Sequence, residues 1–106
     1  MDAKTKYHCE ARAKIIKALA HSSRIFMIEE LGKGERSVYA LTEMVGADVS
    51  TVSKHLSVLK NAGLVTSDRR GQQVFYTLRV PCILNFFSCV ETVLQANAME
   101  HNALVE

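Results

Sequence analysis

Three cysteines, Cys9, Cys82 and Cys89, carry the side chains best suited to bind a soft metal ion or to react with an oxidant. Their odd number and irregular spacing do not form a disulfide framework, so we expect free thiols in a reducing compartment. Cys82 and Cys89 are seven residues apart, which on one helix places them on one face but ~10.5 Å apart along the axis. Neither a single ion with sulfur bonds of ~2.3 Å nor a disulfide spans that distance. A thiol site therefore requires a further chain segment, and packing among apolar neighbours is the alternative role of these cysteines.

A second group of chemically useful side chains lies between residues 48 and 61. Asp48 is suited to cap a helix that ends near Asn61, and steps of three and four residues predict a buried stripe of Val49, Val52, Leu56 and Leu59. The face left outside carries hydroxyl and basic groups that can approach phosphates and base edges, and free amides at the helix N-terminus attract phosphate. Ser and Thr are poor helix formers, so their number favours a functional face over an ordinary surface helix. The candidate DNA contacts on this helix are Ser50, Thr51, Ser53, Lys54, His55, Ser57 and Lys60.

A predicted hairpin follows this helix and adds a second basic surface. Arg70-Gly71-Gln72 supplies the turn between two strands, and aromatic and β-branched residues favour the second strand. Arg69, Arg70 and Gln72 at the tip could reach a flanking phosphate or the minor groove. A solvated turn is the alternative interpretation.

The distribution of charge supports a polyanionic partner better than the net charge does. The chain has 106 residues and a formal net charge of only +2. Residues 50–79 hold five basic residues against one acidic residue, a net charge of +4, which leaves −2 for the rest of the chain. A chain in which one third of the sequence has a net basic charge and the rest is slightly acidic is suited to bind nucleic acid on one face. A basic surface that is only solvated would give the same charge distribution.

The coarse pattern of elements predicts one domain over residues 1–106, mainly α-helical with a small β-hairpin, in the order α-α-α-α-β-β-α. We expect helices near 5–20, 22–32, 38–45, 49–61 after the cap Asp48, and 81–99, with strands at 64–70 and 73–78. Ser22 or Ser23 is expected to cap the second helix, residues 33–36 to form a loop, and Pro81 to occupy the first turn of the last helix. Three residues separate the third and fourth helices, which is the helix-turn-helix arrangement.

Several runs of this sequence resemble the ArsR/SmtB family of metal- and metabolite-responsive repressors. They are Lys17-Ala-Leu-Ala-His-Ser-Ser-Arg, Ser50-Thr-Val-Ser-Lys-His-Leu, Leu59-Lys-Asn-Ala-Gly-Leu-Val, Arg70-Gly71 and Tyr76-Thr77. The resemblance covers about residues 13–94. It implies a homodimeric winged helix-turn-helix repressor, with the first and last helices at the dimer interface, that binds a palindromic operator and releases it when an effector binds.

The family's known effector sites are not reproduced here. Arsenic sensors of the family often carry Cys-Val-Cys where this chain has Ser37-Val38-Tyr39, and the last helix offers only His101 toward a zinc site. In the dimer that the resemblance implies, antiparallel last helices could set Cys82 of one chain against Cys89 of the other, with Cys9 as a third thiolate. Three thiolates suit a soft ion such as arsenite. Thiol oxidation, or a metabolite sensed by a protein with structural cysteines, is the alternative.

Other classes of protein fit the sequence less well. No third group is placed to orient a Cys–His pair and no Gly-rich phosphate loop occurs, so we do not expect an enzyme. No run of about 18 apolar residues predicts a membrane span, and the polar N-terminus is unlike a signal peptide. We therefore expect a cytoplasmic protein. A winged helix that binds only protein is the remaining alternative, and the basic segment at residues 50–79 argues against it.

Overall fold

The computed structural model describes residues 1–105, which form five helices and a three-stranded antiparallel sheet. The elements are α1 (Ala3–Leu19), α2 (Ser22–Gly32), β1 (Arg36–Ser37), α3 (Val38–Val45), α4 (Val49–Asn61), β2 (Val65–Arg70), β3 (Gln73–Leu78) and α5 (Ile83–Val105). The mainly helical class, the helix-turn-helix and the hairpin are as the sequence predicts. Gly46 ends α3 with a φ of 75°, a left-handed conformation that glycine adopts without strain.

Four local predictions about these elements were wrong. The expected loop at 33–36 ends in β1, which pairs with β3 through Arg36–Tyr76 and Ser37–Phe75 and is too short to show a periodic pattern. The cap of α2 is His21, whose Nδ1 accepts from the Ser23 amide, rather than Ser22 or Ser23. Pro81 lies in a turn before α5 rather than in its first turn, and α5 continues to Val105 rather than ending near residue 99.

One apolar core joins α2, α3, α4 and the sheet. Its fully buried side chains are Met27, Ile28, Leu41, Val52, Leu56, Leu59 and Val65. The predicted stripe of α4 is confirmed at three positions but wrong at Val49, which is 58% exposed. Val49 is the first residue of α4, where the helix extends past the edge of the core.

The outer parts of α1 and α5 lie away from this core. Ile83, Leu84 and Phe87 pack α5 against it, yet every side chain from residue 88 to residue 104 is exposed. In α1 only Ala18 and Leu19 are buried, and Tyr7 is exposed. An isolated helix of this length is only marginally stable in water, so the outer half of α5 would gain stability by packing against a partner.

Candidate nucleic-acid interface

The start of α4 is fixed by Asp48. Its Oδ1 accepts from the Thr51 amide and from the Ser50 hydroxyl, both at 2.8 Å. The hydrogen bond from the Thr51 amide is the largest cause that holds the pKa of Asp48 below its ordinary value of 3.8. The expectation of free amides at this N-terminus is therefore wrong for Thr51, whose amide binds the ionised cap.

The outward face of α4 carries most of the side chains that the sequence assigns to DNA. Three fully buried residues, Val52, Leu56 and Leu59, hold the opposite face of the helix in the core. The exposed members of the predicted set are Ser50, Thr51, Ser53, Lys54, Ser57 and Lys60. The Lys60 Nζ donates to the Ser67 hydroxyl at 2.6 Å, which links the end of α4 to β2. The face therefore combines short hydroxyls with two ammonium groups on a rigid helix.

His55 lies apart from that face. It is half-buried, and its ring centroid is 4.3 Å from that of His21. The Arg24 guanidinium lies 3.2 Å from His55 Nδ1 and also donates to the Ala18 carbonyl oxygen at 2.7 Å. Because arginine can only donate, Nδ1 must accept and carry no proton. The structure therefore places His55 in a polar link among α1, α2 and α4 instead of on the outward surface.

The burial of His55 and its contacts with His21 and Arg24 are expected to make the stability of the folded chain depend on pH. Burial, with smaller contributions from His21 and Arg24, holds the pKa of His55 below its ordinary value of 6.5. Well above pH 6.5 His55 is neutral in both the folded and the unfolded chain. As the pH falls, the unfolded chain binds the proton first, because its pKa is the higher of the two. We expect the free energy of unfolding to fall as the pH drops below 6.5 and through the folded-state pKa, and His55→Asn to weaken this dependence. Urea unfolding between pH 7.5 and 5.5 tests this, and equal slopes in both proteins would contradict it.

The hairpin tip presents its two arginines differently. Arg70 donates from both terminal nitrogens to Glu35, at 2.7 and 2.8 Å, and from Nε to Asp68 at 3.0 Å. Its guanidinium also lies over the Phe75 ring, 4.6 Å from the centroid. The hydrogen bonds to Glu35, and secondly to Asp68, raise the pKa of Arg70, and the hydrogen bonds from Arg70 hold the pKa of Glu35 below its ordinary value. Arg70 therefore connects the hairpin to Glu35, the residue before β1, and its charge is paired with a carboxylate.

Arg69 and Gln72 remain available at the tip. Arg69 donates from Nε to the Gly71 carbonyl oxygen at 3.3 Å. Within residues 1–105, no carboxylate lies within ion-pair distance of Arg69. Gln72 is exposed in the turn. Of the two arginines at the tip, Arg69 is the one that has no carboxylate within ion-pair distance among the described residues.

An apolar groove separates the first turns of α3 and α4 from the hairpin tip. Its volume is about 490 Å³, and its walls include Tyr39, Thr42, Val49, Ser53 and Val74. None of the described residues that line it carries a charge. The sequence pattern does not indicate this groove, because the apolar spacing of α4 predicts that Val49 is buried in the core.

The three cysteines are free and exposed. The guanidinium of Arg12 lies 3.7 Å from the Cys9 sulfur. Across the described residues, no three His, Cys, Asp or Glu side chains come close enough together to hold one metal ion. The expected site uses thiols from two chains, so it stays a prediction.

The comparisons with known proteins agree with this geometry. Residues 21–67, from the cap of α2 into β2, match the family model described as the arsR family of bacterial regulatory proteins. The HTH-type transcriptional regulator Rv0081 of Mycobacterium tuberculosis is 33% identical over 96 residues, which are 90% of this chain and 84% of that protein. The chain belongs to the ArsR/SmtB family. This family consists of transcriptional regulators rather than enzymes.

Other ArsR/SmtB relatives from M. tuberculosis are matched over part of their length. The transcriptional repressor SmtB is 36% identical over 65% of this chain, and the regulator Rv0324 is 33% identical over 76% of it. The chain spans 51% of SmtB and 36% of Rv0324.

Two solved structures share the ArsR/SmtB fold over most of this chain. NolR from Sinorhizobium fredii has a TM-score of 0.80 and 26% identity, and the match covers 88% of this chain and 93% of NolR. The homodimeric winged helix-turn-helix DNA-binding domain of Mb0332 from Mycobacterium bovis has a TM-score of 0.76 and 29% identity. The match covers 95% of this chain and 93% of that domain. Among residues 1–105, no helix combines the length and apolar character needed to cross a membrane.

Proposed function

We propose that this chain is a homodimeric transcriptional repressor that places α4 in the major groove of a palindromic operator. The observation that carries the proposal is the outward face of α4, where hydroxyls and Lys54 are exposed while three buried residues fix the helix in the core. A recognition helix needs this division, because base contacts require side chains held in one register. The repressor SmtB among the relatives supports the direction of regulation.

The hairpin acts as a wing beside the recognition helix. Its tip offers Arg69 and Gln72 to the flanking backbone, while Arg70 holds the wing against Glu35. Phosphate contacts of this kind set the position of a protein on the duplex without reading its sequence. An exposed hydroxyl face beside an arginine that has no carboxylate partner among the described residues favours nucleic acid over a partner that is only protein.

A homodimer has a two-fold axis that matches the two-fold symmetry of a palindromic operator. Residues 88–104 of α5 are exposed, and Phe86, Val90, Val93 and Leu94 form an apolar face there. The related domain of Mb0332 is a homodimer. Pairing of these helices between two chains would relate the two copies of α4 by a two-fold axis, and binding to successive major grooves then requires them to lie about 34 Å apart.

The function is tested by the salt dependence of binding to a promoter fragment of the protein's own gene. Lys54→Ala removes one ammonium group per chain from the proposed phosphate contacts. We expect weaker binding and a slope of log affinity against log salt that is shallower by about 0.9 per lost contact, or by about 1.8 per dimer. Fluorescence anisotropy between 50 and 250 mM salt (roughly the range over which phosphate contacts dominate) measures this slope.

Lys6→Ala is the matched control, because it removes the same charge from α1, outside residues 50–79. It should leave the slope unchanged. If Lys54→Ala binds with the affinity and slope of the wild type, α4 is not the DNA-binding helix. If the wild type prefers its promoter fragment to random duplex by less than tenfold, the repressor function is itself wrong.

The effector remains a separate proposal. A site formed by Cys82 and Cys89 of opposite chains, with or without Cys9, would bind arsenite or another soft ion, or respond to an oxidant. The exposure of all three thiols supports a site between chains. A metabolite effector with structural cysteines is the alternative.

A further inference from the structure

The groove between α3, α4 and the hairpin contains two apolar side chains that the core does not use. Tyr39 is 70% exposed and Val49 is 58% exposed, although both lie beside the polar face proposed to meet DNA. Val49 directly precedes Ser50, and Ser53 is one turn further along α4 and lines the same groove. Two exposed apolar side chains that line one groove beside a polar surface fit a partner that also presents an apolar group there.

The chemistry of the groove restricts which part of DNA it can receive. Its described lining residues carry no charge, whereas Lys54 and Arg69 are exposed on the same helix and hairpin. Phosphates are therefore better bound by those cations, and the groove is left for a base edge. In the major groove, the apolar group on a base edge is the 5-methyl of thymine.

We propose that Val49, supported by Tyr39, reads the 5-methyl group of one thymine in each half-site of the operator. This proposal rests on the proposed function, because it requires α4 to lie in the major groove. Val49 is then a specificity-determining residue: its contact favours thymine over bases that lack the methyl group and adds little elsewhere. In the free chain the exposed Val49 side chain lacks the free energy that burial of its apolar surface would contribute. This loss follows from keeping the valine on the surface, where it can contact a base.

The test removes the methyl group and the valine separately. High-affinity duplexes are first selected from a random library with the wild-type chain, and each thymine in a half-site is then replaced in turn by deoxyuridine. This replacement removes only the methyl group and keeps the hydrogen-bonding edge. At one thymine position we expect the wild type to lose about fourfold in affinity, the worth of one buried methyl group.

Val49→Ala should remove that difference. We expect the variant to bind the thymine and deoxyuridine duplexes equally. It should bind the deoxyuridine duplex about fourfold more weakly than the wild type does, because the substitution also removes the contact in the unchanged half-site of the operator. Val58→Ala is the matched control: it makes the same truncation at a part-exposed position of α4 that does not line the groove. It should keep the fourfold preference for thymine.

The outcomes separate this inference from the function on which it rests. If the wild type selects a sequence but tolerates deoxyuridine at every thymine, the methyl-reading role is wrong and the repressor function stands. If Val49→Ala keeps the fourfold preference, another residue reads the methyl group and the assignment of Val49 is overturned. If the wild type selects no sequence, both the function and this inference fail.

Discussion

A carboxylate at position 94 of α5 is expected to convert the protein to a monomer and to weaken operator binding by about 100-fold or more. Leu94 lies on the exposed apolar face of α5, beside a groove of about 280 Å³ that Ile16, Phe86 and Val90 also line. In a two-fold dimer, Leu94→Asp places two charges in an apolar interface, and burying an unpaired carboxylate costs several kcal/mol. Two linked half-sites exceed the affinity of one by about 10²–10⁴, and a monomer loses that gain.

Light scattering and fluorescence anisotropy measure the two parts of this prediction. Light scattering should give the wild type a molecular mass of twice the 11.8 kDa of one chain, and the Leu94→Asp variant the mass of a single chain. Thr92→Asp is the control, because residue 92 is two positions from both Val90 and Leu94 and so faces the other side of the helix. It adds the same charge and should remain a dimer that binds DNA. A Leu94→Asp dimer at micromolar concentration would show that α5 does not form the interface.

The sequence predicted the helix-turn-helix well because local signals define both its ends. Asp48 was identified as the cap of α4, and its carboxylate accepts from the Thr51 amide. Gly46 supplies the left-handed residue that ends α3. The spacing of Val52, Leu56 and Leu59 predicted their burial, because these residues lie in the middle of the helix where periodicity and core coincide.

The sequence could not show where a side chain lies when contacts between distant segments decide its position. Val49 continues the apolar spacing of α4, but the core ends before the first turn of the helix, so the valine remains exposed. His55 and Arg70 have the chemistry of DNA contacts, yet Arg24 engages the first and Glu35 engages the second. Partners 31 and 35 residues away in sequence cannot be deduced from local patterns. The signals that could have raised the question were Arg24, the single arginine of α2, and Glu35, an acidic residue in the short segment 33–37 between α2 and α3.

Leu56→Ala is expected to have the largest effect on stability. Leu56 is fully buried at the middle of α4, between Val52 and Leu59. Truncating a buried leucine costs about 2–5 kcal/mol, of the order of the whole stability of a domain of this size, about 5–15 kcal/mol. We expect the urea midpoint to fall and the melting temperature to drop by about 10 °C or more. Both measurements need equal protein concentrations, because dissociation of the proposed dimer contributes to the transition.

Val58→Ala is the control for this loss, since it removes apolar atoms from the same helix at a part-exposed site. It should cost less than about 1 kcal/mol. The comparison also tests what fixes the proposed recognition helix in place. If the apolar core positions α4, the Leu56→Ala chain that remains folded at low temperature should bind the operator more weakly than its folded fraction alone explains. A loss of stability below about 1 kcal/mol would mean that α4 is held mainly by its polar links, Arg24 with His55 and Lys60 with Ser67, rather than by its buried stripe.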